Sequence, residues 1–214
     1  MKLPVRPVYT WKEIAEKAKE FSDKYQLSQR NYPLDVEEIA ECDLGLEIRV
    51  VAGLMEEFDS PAQIAPGDSY PIITVDADQY RQQTTFYRFS LAHEIGHYVL
   101  HREWLEKVWR MVKSIDTWKQ VIMARSEDDY KWIEANAEEF ASYLLAPEDK
   151  FEPVLRQQLL LLEKISAALQ AEDILPYIAN PIGEFFGMSN SAAQARIRKS
   201  SQWKQFCEKL NIME

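Results

Sequence analysis

A histidine pattern in one short segment constrains this chain more than any other feature. The chain has three histidines in all, at His93, His97 and His101. The first two belong to His93-Glu94-Ile95-Gly96-His97, which fits the pattern H-E-x-x-H. On a helix, residues four apart lie about 40° apart around the axis, so both imidazoles can bind one metal ion. The segment therefore predicts a helix with a metal-binding face and an opposite, apolar face formed by Leu91, Ile95 and Leu100.

Glu94 lies where a general base of a metal site would be needed. It is about 100° around the predicted helix from His93, so its carboxylate can flank the metal without binding it. Zinc lowers the pKa of water that it binds from about 15.7 to about 7, and a carboxylate is then a sufficient base. The pattern predicts a zinc centre in which His93 and His97 are ligands and Glu94 is the catalytic residue.

Two histidines leave such a centre incomplete, because a catalytic zinc site uses three protein ligands and one open position. The metzincin pattern requires glycine at position 100 and histidine at position 103, where this chain has Leu100 and Glu103. That class is excluded. His101 lies in line with His93 and His97 on the helix, so it is poorly placed to close a tetrahedron. We expect it to support a ligand or to cap the helix.

A second predicted helix offers carboxylates for the third position. Segment 132–147 ends at Pro147, and its apolar residues form one stripe: Ile133, Ala137, Phe140, Ala141, Leu144 and Leu145. Glu134 and Glu138 lie four residues apart on a neighbouring face. One carboxylate could bind the metal while the other holds a ligand histidine by a hydrogen bond. A solvated acidic edge is the alternative, and the spacing does not decide between them.

The composition is that of a globular chain with an acidic surface. Of 214 residues, 46% are hydrophobic, and 35 acidic residues against 25 basic ones give a net charge of −10. Such a charge argues against DNA binding over the whole surface. Two cysteines, Cys42 and Cys207, form no disulfide framework, and the first 20 residues do not resemble a signal peptide. We expect a cytoplasmic protein with no membrane partner.

The order of the predicted elements indicates an α+β fold. Thr10 and Glu13 form a capping box that starts the first helix, and strands are predicted at 46–51, near 63–65 and at 71–75. The rest of the chain is predicted to be helical, so strands and helices do not alternate. We expect a small, mainly antiparallel sheet in a domain of residues 1–150. A helical C-terminal region of residues 151–214 is expected to follow it.

Two segments resemble the ImmA/IrrE family of metallo-endopeptidases. Arg88 to His101 (RFSLAHEIGHYVLH) resembles the family's R-F-[ST]-L-A-H-E-[LI]-G-H-x-x-L-H, and Glu134 to Pro147 (EANAEEFASYLLAP) resembles its E-x-x-A-[ND]-x-F-A-x-x-L-L-M-P. The resemblance covers roughly residues 30 to 147. It implies a zincin-like core, with His93, His97 and Glu134 as zinc ligands and Glu94 as the catalytic base.

The resemblance also implies a regulatory role. The chain is expected to cleave a protein partner in the cytoplasm, a helix-turn-helix transcriptional repressor, and so to act as an antirepressor. A binding module that keeps the zinc fold but acts by contact alone is the alternative. Retention of Glu94 beside both histidines favours catalysis, because a structural zinc site needs no base.

Two further segments have a structural and a functional interpretation each. Segment 102–133 holds four of the six tryptophans, Trp104, Trp109, Trp118 and Trp132. They either pack in the core or form a lid or substrate-docking insertion. Segment 183–200 resembles a helix-turn-helix, with a Gly-containing turn and a Ser cap in a locally basic tail. We expect this tail to be structural or to dock a protein. Direct DNA binding through 183–200 is left open.

Overall fold

The computed structural model describes residues 2–67, 70–124, 126–162 and 170–210, and the chain divides into two compact units. The first unit is Met1–Lys17 with Val36–Ala141, and the second is Ala18–Asp35 with Ser142–Glu214. The predicted domains, 1–150 and 151–214, stay a prediction. None of the helices in the described ranges combines the length and apolar character that crossing a membrane requires.

Helices account for most of the described chain, and three strands form one sheet. The strands are β1 (Glu47–Val51), β2 (Ala62–Ala65) and β3 (Ile72–Asp76). The helices are α1 (Trp11–Lys24), α2 (Val36–Glu38, continued by a π-helical turn, Ile39–Asp43), α3 (Leu54–Phe58), α4 (Ala77–Gln82), α5 (Thr85–Met111), α6 (Ile115–Ala124), α7 (Glu127–Leu145), α8 (Glu148–Leu162), α9 (Ala171–Phe186), α10 (Asn190–Arg198) and α11 (Ser201–Leu210). The α+β class with a zincin-like core is confirmed.

Local capping explains where several helices begin. The backbone N–H of Thr10 donates to Glu13 Oε2 at 2.7 Å, and the N–H of Glu13 donates back to Thr10 Oγ1 at 3.3 Å. This is the predicted capping box at the start of α1. Thr84 caps α5 by accepting a hydrogen bond from the N–H of Tyr87 at 3.2 Å. Thr84 therefore starts the helix that carries the histidines.

The sheet is mixed. β3 lies in its centre, with β1 paired to it in parallel and β2 paired to it antiparallel. The expected antiparallel pairing is thus found between β2 and β3, whereas β1 and β3 are parallel. Because β2 is an edge strand, one side of its backbone is not used by the sheet. The N–H of Ile64 points to that free side and reaches α5.

α7 has the predicted apolar face, and α5 has it in part. On α5, Leu91, Ile95 and Leu100 are all buried. Leu91 and Ile95 lie opposite His93, but Leu100 is seven residues from His93 and so lies about 20° from it around the axis, which makes its predicted place on the opposite face wrong. The predicted stripe on α7 is buried along its whole length at Ile133, Ala137, Phe140, Ala141, Leu144 and Leu145. His97 and His101 are also buried, whereas His93 and Glu134 are half-buried and lie at the edge of the core.

The second unit is a helical core of its own. Its largest fully buried side chains are Phe151, Phe186, Arg196 and Trp203. Gly187 ends α9 with a φ of 66°, and Ser189 caps α10 by accepting a hydrogen bond from the N–H of Ala192. The predicted helix, Gly-containing turn and Ser cap are therefore present.

Candidate metal centre

The structure brings together the three predicted metal ligands. Nε2 of His93 lies 3.0 Å from Nε2 of His97. Glu134 on α7 places Oε2 3.2 Å from Nε2 of His93 and Oε1 3.7 Å from Nε2 of His97. Two residues four apart on α5 and one on α7 thus converge on a single point. Their assignment as ligands stays a prediction.

The donor set has the dimensions of a tetrahedral zinc site. Donors about 2.0–2.1 Å from a zinc ion at tetrahedral angles lie about 3.3 Å from one another. The two Nε2 atoms here are 3.0 Å apart, Oε2 of Glu134 is 3.2 Å from Nε2 of His93, and Oε1 of Glu134 is 3.7 Å from Nε2 of His97. Two imidazole nitrogens and a carboxylate group at such distances carry lone pairs that repel one another unless protons or a cation lie between them. The residues present therefore fit a divalent metal ion.

The pKa values of Glu134 and His93 are shifted in opposite directions, and both shifts favour a carboxylate paired with an imidazolium. Burial favours the neutral acid at Glu134, but hydrogen bonding with His93 and His97 outweighs it and lowers the pKa of this carboxyl. Burial opposes a charge on His93 as well, yet Glu134 and Glu94 outweigh it and raise the pKa of that imidazole. Glu134 is thus ionised, which is the form that binds a metal.

Glu94 is held beside the ligands. Ligand atoms of His93, Glu94 and His97 all lie within 4.8 Å of one another. The backbone N–H of Ile64 on β2 donates to Oε2 of Glu94 at 2.7 Å, which fixes the side chain from the edge strand. Burial raises the pKa of the Glu94 carboxyl, and the neighbouring His97 and His93 partly offset that rise. A carboxyl whose pKa is raised above its ordinary value is suited to proton transfer.

His101 contacts the predicted ligand His97, which is the first of the two roles expected for it, support of a ligand or capping of the helix. Nδ1 of His101 lies 3.1 Å from Nδ1 of His97, and the His101 side chain is buried. Burial, and after it the neighbouring His97, lowers the pKa of His101 to about 3, so the His101 imidazole is neutral near pH 7. In the tautomer that a metal ligand requires, His97 donates its Nδ1–H to His101 and turns the Nε2 lone pair towards the metal.

We expect replacement of His101 by phenylalanine to weaken metal binding by about 10–100-fold, the range measured when a partner of a ligand is removed. Phenylalanine keeps most of the buried volume but removes the acceptor for His97. Asparagine at position 101 is the control, because its Oδ1 can take the place of Nδ1, and it should retain more of the affinity. Competition with a chromogenic zinc chelator measures both variants. Equal losses in both would contradict this role.

Gly96 explains how α5 and α7 approach closely enough to form the centre. A Cβ at Gly96 would lie 2.9 Å from the carbonyl oxygen of Ala137 and 3.2 Å from its Cα, both backbone atoms that cannot rotate away. His93 and Glu134 lie three residues before Gly96 and Ala137 on their respective helices. The close contact of these two small residues therefore aligns the ligands contributed by the two helices.

We expect Gly96→Ala to lower the free energy of unfolding by about 1–3 kcal/mol, as overpacking of a tight contact does. The gain in helix propensity, about 1 kcal/mol, opposes this loss but is the smaller effect where backbone would have to move. Urea unfolding with and without zinc measures both stability and metal linkage. A variant as stable as the natural protein, with the same gain on adding zinc, would show that the contact is not tight.

Glu138 does not hold a ligand histidine. Its side chain is exposed, and within the described ranges no hydrogen bond joins it to His93 or His97. It does lie on the wall of the same cleft and its charge acts on His93. The supporting contact comes from His101 instead, and the hypothesis of Glu138 as a hydrogen-bond partner is wrong for this structure.

A cleft of about 730 Å³ opens beside the centre in the first unit. His93, Glu94, His97 and Glu134 line it, together with residues of β2. Two of the four tryptophans, Trp104 and Trp109, line it as well. Trp132 instead packs against Trp11, with ring centroids 5.4 Å apart, and the side chain of Trp118 lies outside the described part of the chain.

Four features of the site were not predicted from the sequence. The spacing of residues does not indicate the hydrogen bond from the amide of Ile64 or the close contact at Gly96, since both depend on elements far apart in the chain. The spacing does indicate the positions of Trp104 and Val108. Both fall on the helical face of His93 and His97, so their place in the cleft could have been found by continuing that face along α5.

Comparison with known proteins places most of the chain in one family. Residues 46–198 of the 214 match Peptidase_M78, described as the IrrE N-terminal-like domain. The match includes α5 and α7, and thus every residue that converges at the centre. No curated protein matches the chain.

Proposed function

We propose, since this chain belongs to the Peptidase_M78 family of metallopeptidases, that it is a zinc-dependent endopeptidase. In this proposal His93, His97 and Glu134 hold the zinc ion and Glu94 is the general base. The observation that supports it most directly is the convergence of the three donors, 3.0 to 3.7 Å apart, beside a fourth residue able to move a proton. A purely structural metal site needs no such residue.

The roles of the side chains follow from their contacts. Zinc, when bound, supplies Lewis acidity, which lowers the pKa of water and polarises a peptide carbonyl. Oε2 of Glu94 is held by the N–H of Ile64, which leaves Oε1 to take the proton of the attacking water. The same carboxyl then carries that proton to the departing amine. His101 keeps His97 in its orientation throughout.

The edge strand suggests how a peptide lies in the cleft. β2 pairs with β3 on one side only, and its residues line the cleft next to Glu94. An extended peptide can add to such an edge through main-chain hydrogen bonds. Backbone pairing is insensitive to sequence, so selectivity needs additional side-chain pockets.

The experiment that tests the activity uses the whole chain and an unbiased set of substrates. The zinc-loaded protein is incubated with a mixture of unfolded proteins, and new peptide termini are identified by mass spectrometry. We expect new internal termini that disappear after chelation and return when zinc is added. If no termini appear under any metal condition, the chain is not an endopeptidase and the contact-only antirepressor becomes the better hypothesis.

Within this function we propose that the substrate is a basic cytoplasmic partner, a helix-turn-helix repressor. The net charge of −10 supports a basic partner, because opposite charges speed association. Neither Cys42 nor Cys207 takes part in a disulfide within the described part of the chain, which is consistent with a reducing compartment.

We expect cleavage of a basic substrate to slow steeply as salt is added. Two peptides test this, one flanked by lysines and one in which glutamines replace them around the same cleaved sequence. The lysine peptide should lose about 10-fold or more in kcat/KM between low and high ionic strength, since salt screens steering. The glutamine peptide should change little. An identical salt response of the two peptides would contradict the charge argument.

We propose a structural role for segment 183–200. Arg196, in the part that resembles a recognition helix, is buried and lies 4.2 Å from the ring centroids of both Tyr143 and Phe151. Its guanidinium also pairs with Glu148. A side chain held in this way cannot reach a DNA base or phosphate. Direct DNA binding is the alternative outcome, and gel-shift titration against duplex DNA tests it.

A further inference from the structure

The histidine face of α5 continues past the metal centre as an apolar wall. Measured around the helix axis from His93, His97 lies at about 40°, Trp104 at about 20° and Val108 at about 60°. At about 1.5 Å of rise per residue, Trp104 lies about 10 Å and Val108 about 16 Å beyond His97 along the axis. Both line the cleft that also contains Glu94 and Glu134. One helix face therefore carries the reacting groups and, further along, a bulky apolar surface.

Neighbouring elements close this surface into a pocket. α6 contributes Val121 and α7 contributes Ile133, which are 7% and 4% exposed. Leu105 and Trp109 on α5 are half-buried and complete the apolar lining. We call the six residues together the distal pocket: Trp104, Leu105, Val108, Trp109, Val121 and Ile133.

The distal pocket is held in shape before any ligand arrives. Nε1 of Trp104 donates to the carbonyl oxygen of Pro4 at 3.1 Å, and the hydroxyl of Tyr9 donates to the carbonyl oxygen of Leu100 at 3.0 Å. These two hydrogen bonds attach residues 4–9 to α5 and fix the indole ring. A preformed apolar surface binds a ligand more tightly than a flexible one, because its side chains lose little conformational freedom on binding.

We propose that the distal pocket binds one bulky apolar side chain of an extended peptide, such as leucine or phenylalanine, three to five residues from the cleaved bond. An extended peptide advances about 3.3 Å per residue, so the 10 to 16 Å between His97 and the pocket corresponds to about three to five residues. A charged side chain would lose its hydration there without gaining a partner. The inference rests on the proposed peptidase function and states where its selectivity lies.

The first test moves one leucine along a substrate. Quenched-fluorescence peptides share one cleaved sequence and carry a single leucine at successive positions on either side of it, with serine elsewhere. We expect kcat/KM to rise by about 10-fold or more when leucine stands three to five residues from the cleaved bond on one side, as burial of a leucine side chain predicts. A flat profile over all positions would overturn the proposal.

Two variants then tie that preference to the pocket. Leu105→Lys places a cation in the lining and should abolish the preference for leucine and favour glutamate at the same peptide position. Trp109→Ala removes part of the wall and should reduce the preference without reversing it. Trp11→Ala, at a tryptophan outside the cleft lining, is the matched control and should leave the profile unchanged. Unaltered profiles in both pocket variants would assign the preference to another surface.

A binding measurement separates failure of the pocket from failure of the peptidase function. The Glu94→Gln protein is titrated with every leucine peptide of the series and with the serine peptide that lacks leucine, and the intrinsic tryptophan fluorescence is recorded. We expect the leucine peptide with its leucine three to five residues from the cleaved bond to bind about 10-fold more tightly than the serine peptide. If the leucine peptide binds more tightly but the natural protein cleaves neither peptide, the proposal for the distal pocket is supported and the proposed peptidase function is wrong. Equal affinities for the two peptides would overturn the pocket.

Discussion

Replacement of Glu94 by glutamine is expected to reduce peptide hydrolysis by about 10²–10⁴-fold, the contribution that a positioned general base usually makes. Glutamine has nearly the same size and shape, and its amide oxygen can still accept the hydrogen bond that the N–H of Ile64 donates at 2.7 Å to the carboxylate. The variant should therefore keep its fold and its metal while losing the proton acceptor. Peptide cleavage assays and zinc analysis by plasma mass spectrometry measure the two properties separately.

Glu103→Gln is the matched control, because Glu103 is an exposed glutamate on the same helix. It changes the net charge by the same amount and should leave hydrolysis unaltered. A Glu94→Gln protein that cleaves peptides at the natural rate would show that Glu94 is not the base. If cells carrying it still relieve repression although it cleaves nothing, the contact-only antirepressor is supported.

Glu134→Ala is expected to weaken zinc binding by at least about 100-fold, more than the loss of a residue that merely supports a ligand. The substitution removes the carboxylate oxygens that lie 3.2 Å from Nε2 of His93 and 3.7 Å from Nε2 of His97. Two imidazoles alone leave a catalytic zinc site one protein ligand short. The rise in melting temperature that zinc gives the natural protein should be lost as well, since that rise follows affinity. Zinc titration followed by calorimetry and thermal unfolding measures both.

Glu138→Ala controls for the removal of a carboxylate from the same helix. Glu138 is one turn beyond Glu134 and exposed, so its loss should leave zinc affinity within a few-fold of the natural value. If Glu138→Ala lost the metal while Glu134→Ala retained it, the third ligand would be Glu138. Loss in neither variant would place the third ligand elsewhere, with Glu94 as the nearest candidate.

Much of the centre could be read from local spacing. The pattern from His93 to His97 predicts that two imidazoles share a helix face, and α5 confirms that arrangement with Nε2 atoms 3.0 Å apart. The capping box of Thr10 and Glu13 predicts where α1 begins. Both predictions succeed because they depend on residues within about one helical turn, whose relative positions are set by backbone geometry.

The choice between Glu134 and Glu138 could not be made in this way. Both lie on one face of α7, and their spacing alone suits either as a ligand. Contact between Gly96 and Ala137 sets how α7 lies against α5. That contact brings Glu134 to His93 and leaves Glu138 exposed. The same holds for the sheet, where β1 joins β3 in parallel although the two strands lie more than 20 residues apart.

Residue types and their periodicity thus establish the chemistry that this chain can support: two imidazoles, a base and carboxylates on known helix faces. Packing establishes which of these groups meet. It selects Glu134 as the proposed ligand, His101 as the support of His97 and the amide of Ile64 as the partner of Glu94. It also turns Trp104 and Trp109 towards the cleft. The physical reason is that periodicity determines the direction of a side chain within its own helix, whereas the group that it meets depends on close contacts between helices and strands distant in sequence.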